Sequence, residues 1–181
     1  MNYFLSDTHW GHWNINNLCS RGFDSLELMN NAIVNEINST VGPNDLLYHL
    51  GDAAWHGFEE AFWRRINCKT ILILGNHDDI GWYNKNKRAN TGYGPIEVVN
   101  YLEVPIGTEK GKIVLSHYPF EVWNGKHKGW YHCYGHSHKD LDTDLGSRRL
   151  HVGVDTIGYK PITFTQIKEK IEQRNAQTTI A

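Results

Sequence analysis

The stretch "KTILILGNHDD", residues 69–79, joins a nearly continuous apolar run to a polar end. A run of this kind is typical of a strand that is covered on both faces. Two strands are predicted before it, in "NYFLS" at residues 2–6 and in "LLYHL" at residues 46–50. Apolar residues at helical spacing predict one helix between the first and second strands and another between the second and third. The order strand, helix, strand, helix, strand predicts a sheet with right-handed crossovers.

Capping signals and apolar spacing predict where three helices lie. Asp24 and Glu27 form a capping box ahead of a helix of about four turns. Apolar residues spaced four apart predict a second helix over residues 57–67. A last helix is predicted to begin near Thr163, with Gln166 at the box position.

The second half of the chain has a different pattern. Residues 79–95 lack periodicity and are predicted to form a long surface loop. "IEVVNYLEVP" (96–105) and "KIVLSHYP" (112–119) predict a β-hairpin, and "GWYHCY" and "RRLHVGV" predict two more strands around a "GHSH" turn. We therefore expect an α/β protein with a parallel half followed by a mainly antiparallel half, built as two face-to-face sheets with helices outside.

Length and composition narrow the class of protein. The 181 residues are expected to form one domain over residues 1–175, followed by a frayed tail at residues 176–181. The net charge of −2 disfavours stable binding to nucleic acid or to a membrane surface. The three cysteines form no CxxC pair, which favours reduced thiols in a cytoplasmic protein. Residues 1–10 hold no basic region and only a short apolar run, so neither a signal peptide nor a membrane span is expected.

Polar residues follow the predicted strands at or just past their carboxyl ends, which is where ligands bind in open α/β sheets. They are Asp7, His9, Asp52, Asn76, His77, His117, His136 and His138. In an extended chain Asp7 and His9 point to the same side, as do His136 and His138. These side chains are therefore expected to converge, although they are far apart in sequence.

The donor types in this set indicate a metal site. Carboxylate, amide oxygen and imidazole without thiolate favour catalytic Mn, Fe, Zn, Ni or Co over a closed structural zinc site. Glycine precedes Asp52, Asn76 and His136, where it lets the backbone turn sharply and a metal approach closely. Seven ligands exceed what one ion with an open position needs. We expect two divalent ions that share a carboxylate, with Mn as the first choice.

The motifs "DTH", "LGD", "GNHD", "SHYP" and "GHSH", in this order, resemble the five-block signature of calcineurin-like metallophosphoesterases. The resemblance runs from residue 4 to about residue 170, and it implies an αββα sandwich of mixed sheets. The opening "DTHWGHWN" and the close "VGVDTIGYKPIT" resemble a compact branch found in bacteria and their phages. That branch implies the cytoplasm of a bacterium or of a phage-infected host.

The resemblance also implies a role for each residue. The first metal would be held by Asp7, His9 and His138, and the second by Asn76, His117 and His136. Asp52 would bridge the two ions, while His77 would stabilise the transition state or protonate the leaving oxygen without binding metal. Two cations about 3.5–4 Å apart lower the pKa of a bridging water, and the resulting hydroxide attacks phosphorus in line.

We therefore expect a phosphoesterase that acts on small phosphate esters, including nucleotide-derived ones. Phosphodiesters are preferred over monoesters because no large cap domain is present to enclose a small monoester, so the site should be open. The alternatives are a phosphomonoesterase or protein phosphatase, local nicking of DNA, and a scaffold that binds metal without turnover. The scaffold is disfavoured because His77 and all seven ligand positions are present.

Other polar residues are expected either to contact the substrate or to stabilise the fold. Arg21 and His12, in or after the first metal-bearing loop, are candidate substrate contacts. Arg21 would clamp a phosphate with two hydrogen bonds or would form a surface salt bridge. His49, His132 and His151 are expected to be structural or surface histidines outside the metal site.

Two further expectations concern the surroundings of the site. The second N–H of each ligand imidazole needs an outer partner, for which Asp78, Asp155 and backbone carbonyls are the candidates. The basic and aromatic residues of 79–95 would either bind a nucleotide or form a solvated loop, and the solvated loop is favoured.

Overall fold

Two β-sheets form the framework of the protein. The computed structural model describes residues 1–86, 91–107 and 111–178. Within these residues the first sheet contains β1 (Asn2–Leu5), β2 (Leu46–His49), β3 (Lys69–Ile73), β4 (Glu97–Val99) and β9 (Ile162–Thr163). The second sheet contains β5 (Leu102–Pro105), β6 (Lys112–Leu115), β7 (Tyr131–Tyr134) and β8 (Arg149–His151). The strand orders are β4-β3-β2-β1-β9 and β5-β6-β7-β8.

The direction of the strands agrees with the sequence in the first sheet and differs in the second. Strands β1 to β4 pair in parallel, which confirms the parallel half, and β9 runs antiparallel beside β1. In the second sheet β5 and β6 are antiparallel, whereas β6 with β7 and β7 with β8 are parallel. The expectation of a mainly antiparallel second half is therefore wrong.

The parallel pairing of β6 and β7 comes from a crossover that has no helical periodicity. Residues 116–130 return the chain to the start of β7 as irregular structure with a 3₁₀ turn at Lys126–Lys128. Phe120 and Trp123 of this segment pack their rings on His132 of β7, with ring centroids 5.3 Å apart in both pairs. The crossover thus covers part of the second sheet, and the carboxyl ends of β6 and β7 lie at the same edge.

The helices are α1 (Asn14–Leu18), α2 (Leu26–Thr40), α3 (Glu59–Trp63), α4 (Ile80–Lys85), α5 (Val154–Ile157) and α6 (Phe164–Thr178). The cap of α2 is Ser25, whose side chain accepts the Leu28 N–H at 3.2 Å, so the cap predicted at Asp24 is wrong by one residue. The capping box of α6 is confirmed, because the Thr163 N–H donates to Gln166 Oε1 at 2.8 Å and the Gln166 N–H donates to Thr163 Oγ1 at 3.4 Å.

Several predicted boundaries need correction. Helix α3 is shorter than the predicted span of residues 57–67. Helix α6 continues through residues 176–178, where we expected a frayed tail, and residues 179–181 lie outside the described part. None of the helices within the described ranges has the length and apolar character that a membrane crossing requires.

The prediction of an irregular loop over residues 79–95 is wrong at its start, where α4 forms. The Asp79 side chain caps this helix by accepting the N–H groups of Gly81 and Trp82 at 2.8 and 3.1 Å. Tyr83 is buried, and its hydroxyl accepts the Trp63 indole N–H at 3.1 Å. One short helical turn is too brief to give a periodic signal. Residues 87–90 of the predicted loop lie outside the described residues.

The predicted hairpin is confirmed, but its first arm is shorter than expected. Strands β5 and β6 pair antiparallel from Leu102 opposite Leu115 to Pro105 opposite Lys112. The run at residues 96–105 is split between the sheets, because β4 pairs with β3 in the first sheet. Residues 108–110 of the hairpin turn lie outside the described part.

Apolar side chains are buried on both faces of the first sheet. Leu5 of β1 packs with Met29 and Ile33 of α2 on the outer face, whereas its neighbour Phe4 packs between the two sheets. Ile167 of α6 joins the core between the sheets. The two faces of the first sheet therefore belong to different clusters, as its continuous apolar strands predict.

We expect the substitution Ile37→Ala to lower the free energy of unfolding by about 2–5 kcal/mol, because Ile37 is fully buried against the first sheet. The matched control on the same helix is Leu28→Ala, since Leu28 is 52% exposed, and it should change the value by less than about 0.5 kcal/mol. Urea denaturation measures both. Equal losses in the two variants would contradict the assigned packing face of α2.

Candidate metal centre

The residues expected at the site lie in loops that leave β1, β2, β3, β6 and β7 at one edge of the sandwich. All eight converge there: Asp7, His9, Asp52, Asn76, His77, His117, His136 and His138. Strands of both sheets deliver them, because the parallel pairs place their carboxyl ends together.

The first group of donors consists of Asp7, His9 and His138. Their candidate ligand atoms lie within 4.8 Å of one another. The Nε2 atoms of His9 and His138 are 3.2 Å apart. Asp7 is fully buried, and its carboxylate accepts the backbone N–H of His136 at 3.0 Å. This hydrogen bond joins the loop after β1 to the loop after β7.

The second group consists of Asn76, His117 and His136. Asn76 Oδ1 lies 3.0 Å from His117 Nε2 and 3.0 Å from His136 Nδ1. His117 is buried, whereas Asn76 and His136 are exposed. The amide oxygen thus sits between two imidazole nitrogens on the side of the centre that faces solvent.

Asp52 lies between the two groups. Its Oδ2 atom is 3.5 Å from His9 Nε2 and 3.5 Å from His117 Nε2. Its Oδ1 atom accepts the backbone N–H of His77 at 2.9 Å. One carboxylate therefore faces donors of both groups, which is the position that a bridging ligand needs.

The chemistry of these donors fits divalent cations. His117 Nδ1–H donates to the Leu50 carbonyl at 2.8 Å, so the neutral ring carries its lone pair on Nε2. That lone pair faces two acceptor oxygens, on Asn76 and Asp52. Lone pairs in contact repel one another unless a proton or a cation lies between them. Separations of 3.0–3.5 Å are those of neighbouring ligands about 2.1 Å from a shared ion.

Five of the expected ligands have left-handed backbone conformations. The φ angles are 58° at Asp7, 46° at His9, 53° at Asp52, 70° at His136 and 53° at His138. The expectation of extended chain at Asp7–His9 and His136–His138 is therefore wrong, although the paired side chains do reach the same site. Asp and His tolerate this region better than most residues do, so the ligand types suit the backbone as well as the metal.

Two glycines allow segments of the centre to approach each other closely. A Cβ atom on Gly75 would overlap the Asp52 carboxylate. A Cβ atom on Gly135 would lie 2.6 Å from both Asp7 Oδ2 and Ser6 Oγ, which is closer than such atoms approach. The strand ends can therefore meet only because these positions lack a side chain.

Asp155 is the outer partner of one ligand imidazole, as the sequence suggests. His138 Nδ1–H donates to Asp155 Oδ2 at 2.7 Å, which directs His138 Nε2 to the donors of the first group. Burial alone lowers the pKa of His138, but this hydrogen bond and the charge of Asp7 raise it overall. The Leu50 carbonyl fills the same role for His117.

Arg21 is buried in the fold. Its side chain is 0% exposed and forms two hydrogen bonds to the carboxylate of Asp155, at 2.8 and 3.0 Å. It also donates to the backbone carbonyls of Asp7 and Thr8 at 2.8 and 2.9 Å. Neither a phosphate clamp nor a surface salt bridge fits this position. Arg21 instead fixes the carboxylate that holds His138.

Asp78 binds backbone amides, and no imidazole contacts its carboxylate within the described residues, so this candidate partner of a ligand histidine is wrong. Its carboxylate accepts the N–H groups of Asp52, Ala53 and Gly75 at 2.8–3.0 Å. Burial raises the pKa of Asp78 to about 6, although these hydrogen bonds lower it. Asp78 thereby ties the loop after β3 to the loop that carries Asp52.

Burial also controls the protonation of the expected ligands. It raises the pKa of Asp7, while the charges of His117 and His138 act in the opposite direction. It lowers the pKa of His9 to about 2, and the charge of His138 adds to that shift. Both pKa shifts arise because burial removes water from the charged form of the side chain. Bound cations would supply the missing counter-charge and favour the deprotonated side chains that hold metal.

His77 and His12 lie beside the first group of donors. The imidazole of His77 is half-buried, 5.5 Å from the ring of His9, and no hydrogen bond to it is found within residues 1–86, 91–107 and 111–178. His12 is also half-buried and stacks on Trp55 with ring centroids 3.8 Å apart. Burial lowers the pKa of His12, and the charges of His77 and Arg21 add to this effect.

Three residues of the site were not expected from the sequence. Ser6 is buried and donates its hydroxyl to Asp7 Oδ2 at 2.5 Å. Trp55 contacts the rings of His12 and His77. Tyr118 is 48% exposed and places its ring 4.6 Å from that of His136. Ser6 directly precedes Asp7, Trp55 lies three positions after Asp52, and Tyr118 lies within the motif "SHYP", which is the signal that the sequence offers.

The three histidines that were expected to lie outside the metal site are buried and belong to neither group of donors. His132 Nδ1–H donates to the Val114 carbonyl at 3.1 Å, and His132 Nε2 accepts the Phe120 N–H at 3.0 Å. His49 Nε2 is 3.0 Å from the hydroxyl of Thr8. His151 Nδ1 is 2.9 Å from the hydroxyl of Thr156, while its Nε2 lies 3.6 Å from Asp7 Oδ2.

We expect Asp155→Asn to weaken Mn²⁺ binding by about 10- to 100-fold, because His138 loses the carboxylate that orients it. Isothermal titration calorimetry on metal-free protein measures the change, and circular dichroism checks that the variant is folded. The matched control is Asp142→Asn, which alters an exposed carboxylate. Unchanged affinity in Asp155→Asn would contradict the role assigned to the Arg21–Asp155 pair.

A second prediction concerns His132 and pH. Burial lowers its pKa to about 4, below the unfolded value of 6.5, so the unfolded chain takes up the proton first as the pH falls. The stability that His132 contributes is complete above pH 6.5 and is lost as the pH falls toward about 4. His132→Gln should therefore reduce the slope of unfolding free energy in this window by up to about 1.4 kcal/mol per pH unit.

Urea denaturation at several pH values between 4 and 7 tests this expectation. His127→Gln, which alters an exposed histidine on the 3₁₀ turn, is the matched control. An equal loss of slope in the two variants would show that burial of His132 is not the cause.

Known proteins resemble this chain in sequence and in fold. The chain is 29% identical to protein MJ1445 of Methanocaldococcus jannaschii over 187 residues, which cover 98% of this chain and 95% of that protein. It is 25% identical to the gene 66 protein of Mycobacterium phage L5, over 86% of this chain and 87% of that protein. The crystal structure of AQ665 from Aquifex aeolicus, 27% identical, matches with a TM-score of 0.71 and covers 94% of this chain and 98% of that one.

The family comparison agrees with the motifs and with the α/β fold of two mixed sheets. The model described as calcineurin-like phosphoesterase matches residues 3–157, which include every expected ligand. The motif order, the shared edge and the family match lead to one conclusion: the chain belongs to the calcineurin-like phosphoesterase family.

Proposed function

We propose that this phosphoesterase is a two-metal enzyme that hydrolyses phosphodiesters, including nucleotide-derived ones. One cation would be held by Asp7, His9 and His138, the other by Asn76, His117 and His136, and Asp52 would bind both. The observation that carries the proposal is the position of Asp52 Oδ2, at 3.5 Å from the Nε2 atoms of both His9 and His117. When bound, two cations of this kind supply positive charge to phosphoryl oxygens and a nucleophile at neutral pH.

The proposed role of His77 is to give a proton to the leaving oxygen. Imidazole is the side chain that most often acts as a general acid or base in enzymes. The backbone N–H of His77 donates to Asp52 Oδ1 at 2.9 Å, so the residue that carries this imidazole is tied to the carboxylate between the two groups. Its ring is half-buried beside His9, within reach of a substrate held at the donors.

Exposure on one side of the centre supports a diester as substrate. Asn76 and His136 are exposed, and Tyr118 beside them is 48% exposed. A diester carries a second organic group on phosphorus, and that group needs room to leave the site. An open rim on the side of Asn76 and His136 provides such room. Manganese remains the first choice of metal, and Fe, Zn, Ni and Co are the other candidates for this donor set.

A direct test compares bis-p-nitrophenyl phosphate with p-nitrophenyl phosphate, using metal-free protein reloaded with Mn²⁺. We expect a higher kcat/KM on the diester, because the exposed rim accepts the second ester group. A clear preference for the monoester would favour a phosphomonoesterase. Absence of turnover on both compounds and on a panel of nucleotides and cyclic nucleotides would support the metal-binding scaffold.

Two substitutions separate metal binding from chemistry. Asp52→Asn should weaken binding of both ions and abolish turnover, because one carboxylate faces both ligand groups. His77→Ala should leave the metal content unchanged and slow hydrolysis by about 10²–10⁴-fold, as expected for a lost general acid. Metal analysis by mass spectrometry and steady-state kinetics measure the two effects. The control is His127→Ala, and a His77→Ala variant with wild-type rates would refute the role of His77.

A further inference from the structure

His12 and Trp55 form a stacked pair beside the metal centre. Their rings lie 3.8 Å apart between centroids and only 5° from parallel. Trp55 is anchored through its backbone, because its N–H donates to the Trp10 carbonyl at 2.9 Å and its carbonyl accepts the Phe58 N–H at 2.9 Å. The indole therefore projects from an anchored segment of backbone, and the imidazole of His12 lies flat against it.

The same indole contacts the proposed proton donor. Trp55 and His77 have ring centroids 5.4 Å apart and planes tilted by 40°. The ring of His12 lies 5.9 Å from that of His9, which in turn lies 5.5 Å from that of His77. His12 thus stands beside an expected metal ligand and shares a neighbour with His77, and it lies within the opening motif "DTHWGHWN".

The two ring nitrogens of His12 have different surroundings. Nδ1 is buried without a hydrogen-bond partner in the described structure, whereas Nε2 forms no hydrogen bond there and is not buried. A buried N–H without a partner is disfavoured more strongly than a buried lone pair. The favoured neutral tautomer therefore has its lone pair on Nδ1 and its proton on Nε2. That tautomer leaves one N–H donor on the accessible nitrogen of His12.

We propose that His12 donates its Nε2–H to a phosphoryl oxygen of the bound substrate, and that Trp55 is the positioning residue that holds this donor in place. This inference rests on the proposed phosphodiesterase function. It adds a hydrogen bond from the protein to a non-bridging phosphoryl oxygen, which every phosphoester has. Stacking fixes the plane of the imidazole without occupying either nitrogen, so the donor is kept for the ligand. A hydrogen bond to a charged oxygen is strong enough to affect catalysis.

The first test uses amides that place an N–H at one ring position or the other. The side-chain amide of Gln reaches the place of Nε2, and that of Asn reaches the place of Nδ1. We expect His12→Gln to retain most of the kcat/KM, whereas His12→Asn and His12→Ala lose about 10- to 100-fold. Affinity for inorganic phosphate, measured by calorimetry on the Mn²⁺-loaded protein, should fall in the same order. Equal loss in Gln and Asn variants would overturn the assignment to Nε2.

The second test addresses Trp55. We expect Trp55→Phe, which keeps a flat ring, to retain activity, and Trp55→Leu to lose as much kcat/KM as His12→Ala. The double variant His12→Ala, Trp55→Leu should lose no more kcat/KM than either single variant, because each substitution removes the same positioned donor. Additive losses would show that Trp55 acts independently of His12. Wild-type levels of activity in Trp55→Leu would overturn the proposal as well.

A third measurement does not depend on turnover. Nitrogen-15 NMR of histidine-labelled, metal-free protein reports which ring nitrogen of His12 carries the proton. The Nε2–H tautomer is expected in the wild type and in Trp55→Phe, and a mixture of tautomers in Trp55→Leu. An Nδ1–H tautomer in the wild type would overturn this inference while leaving the proposed function intact. Failure of the wild type to hydrolyse any phosphoester would instead count against the proposed function.

Discussion

The buried pair of Arg21 and Asp155 joins three segments at the edge that carries the candidate metal centre. Arg21 binds both oxygens of Asp155 and the carbonyls of Asp7 and Thr8, while Asp155 accepts the N–H of His138. One guanidinium therefore joins the loop after β1, the α1–α2 connection and the start of α5. A buried pair of this kind is strongly destabilised when one partner is removed, because the other charge is left without compensation. This contact fixes the carboxylate that orients His138 within the first group of donors.

Backbone strain is the second constraint on the centre. Asp7, His9, Asp52, His136 and His138 all adopt left-handed conformations, which cost of order 1–3 kcal/mol each outside glycine and are less costly for Asp and His. Such conformations persist only where the surrounding structure determines them. Hydrogen bonds from neighbouring loops and the close packing at the strand ends meet that condition here. The positions of these side chains are thus set by the surrounding loops as well as by their own backbone.

The sequence predicts much of this arrangement because the polar residues come directly after apolar runs that form strands. The run at β3 followed by Asn76 places that residue at a sheet edge, and the parallel order of the first sheet follows from the helices between its strands. Three features escape such reasoning. The direction of β7 depends on an irregular crossover, the burial of Arg21 depends on a carboxylate far along the chain, and the left-handed φ of His136 depends on contacts with Asp7. Sequence patterns indicate the conformation that a short segment prefers, whereas these three features arise from tertiary contacts.

The centre draws its parts from Asp7 in the loop after β1 to Asp155 in α5, nearly the whole length of the matched family region. A nascent polypeptide leaving the ribosome therefore has only scattered imidazoles and carboxylates until α5 has been synthesised. Since domains fold as units during synthesis, the candidate metal centre is completed only after almost the whole matched region has been translated. A chain that is released before α5 lacks the Asp155 carboxylate that holds His138, so its first group of donors is incomplete.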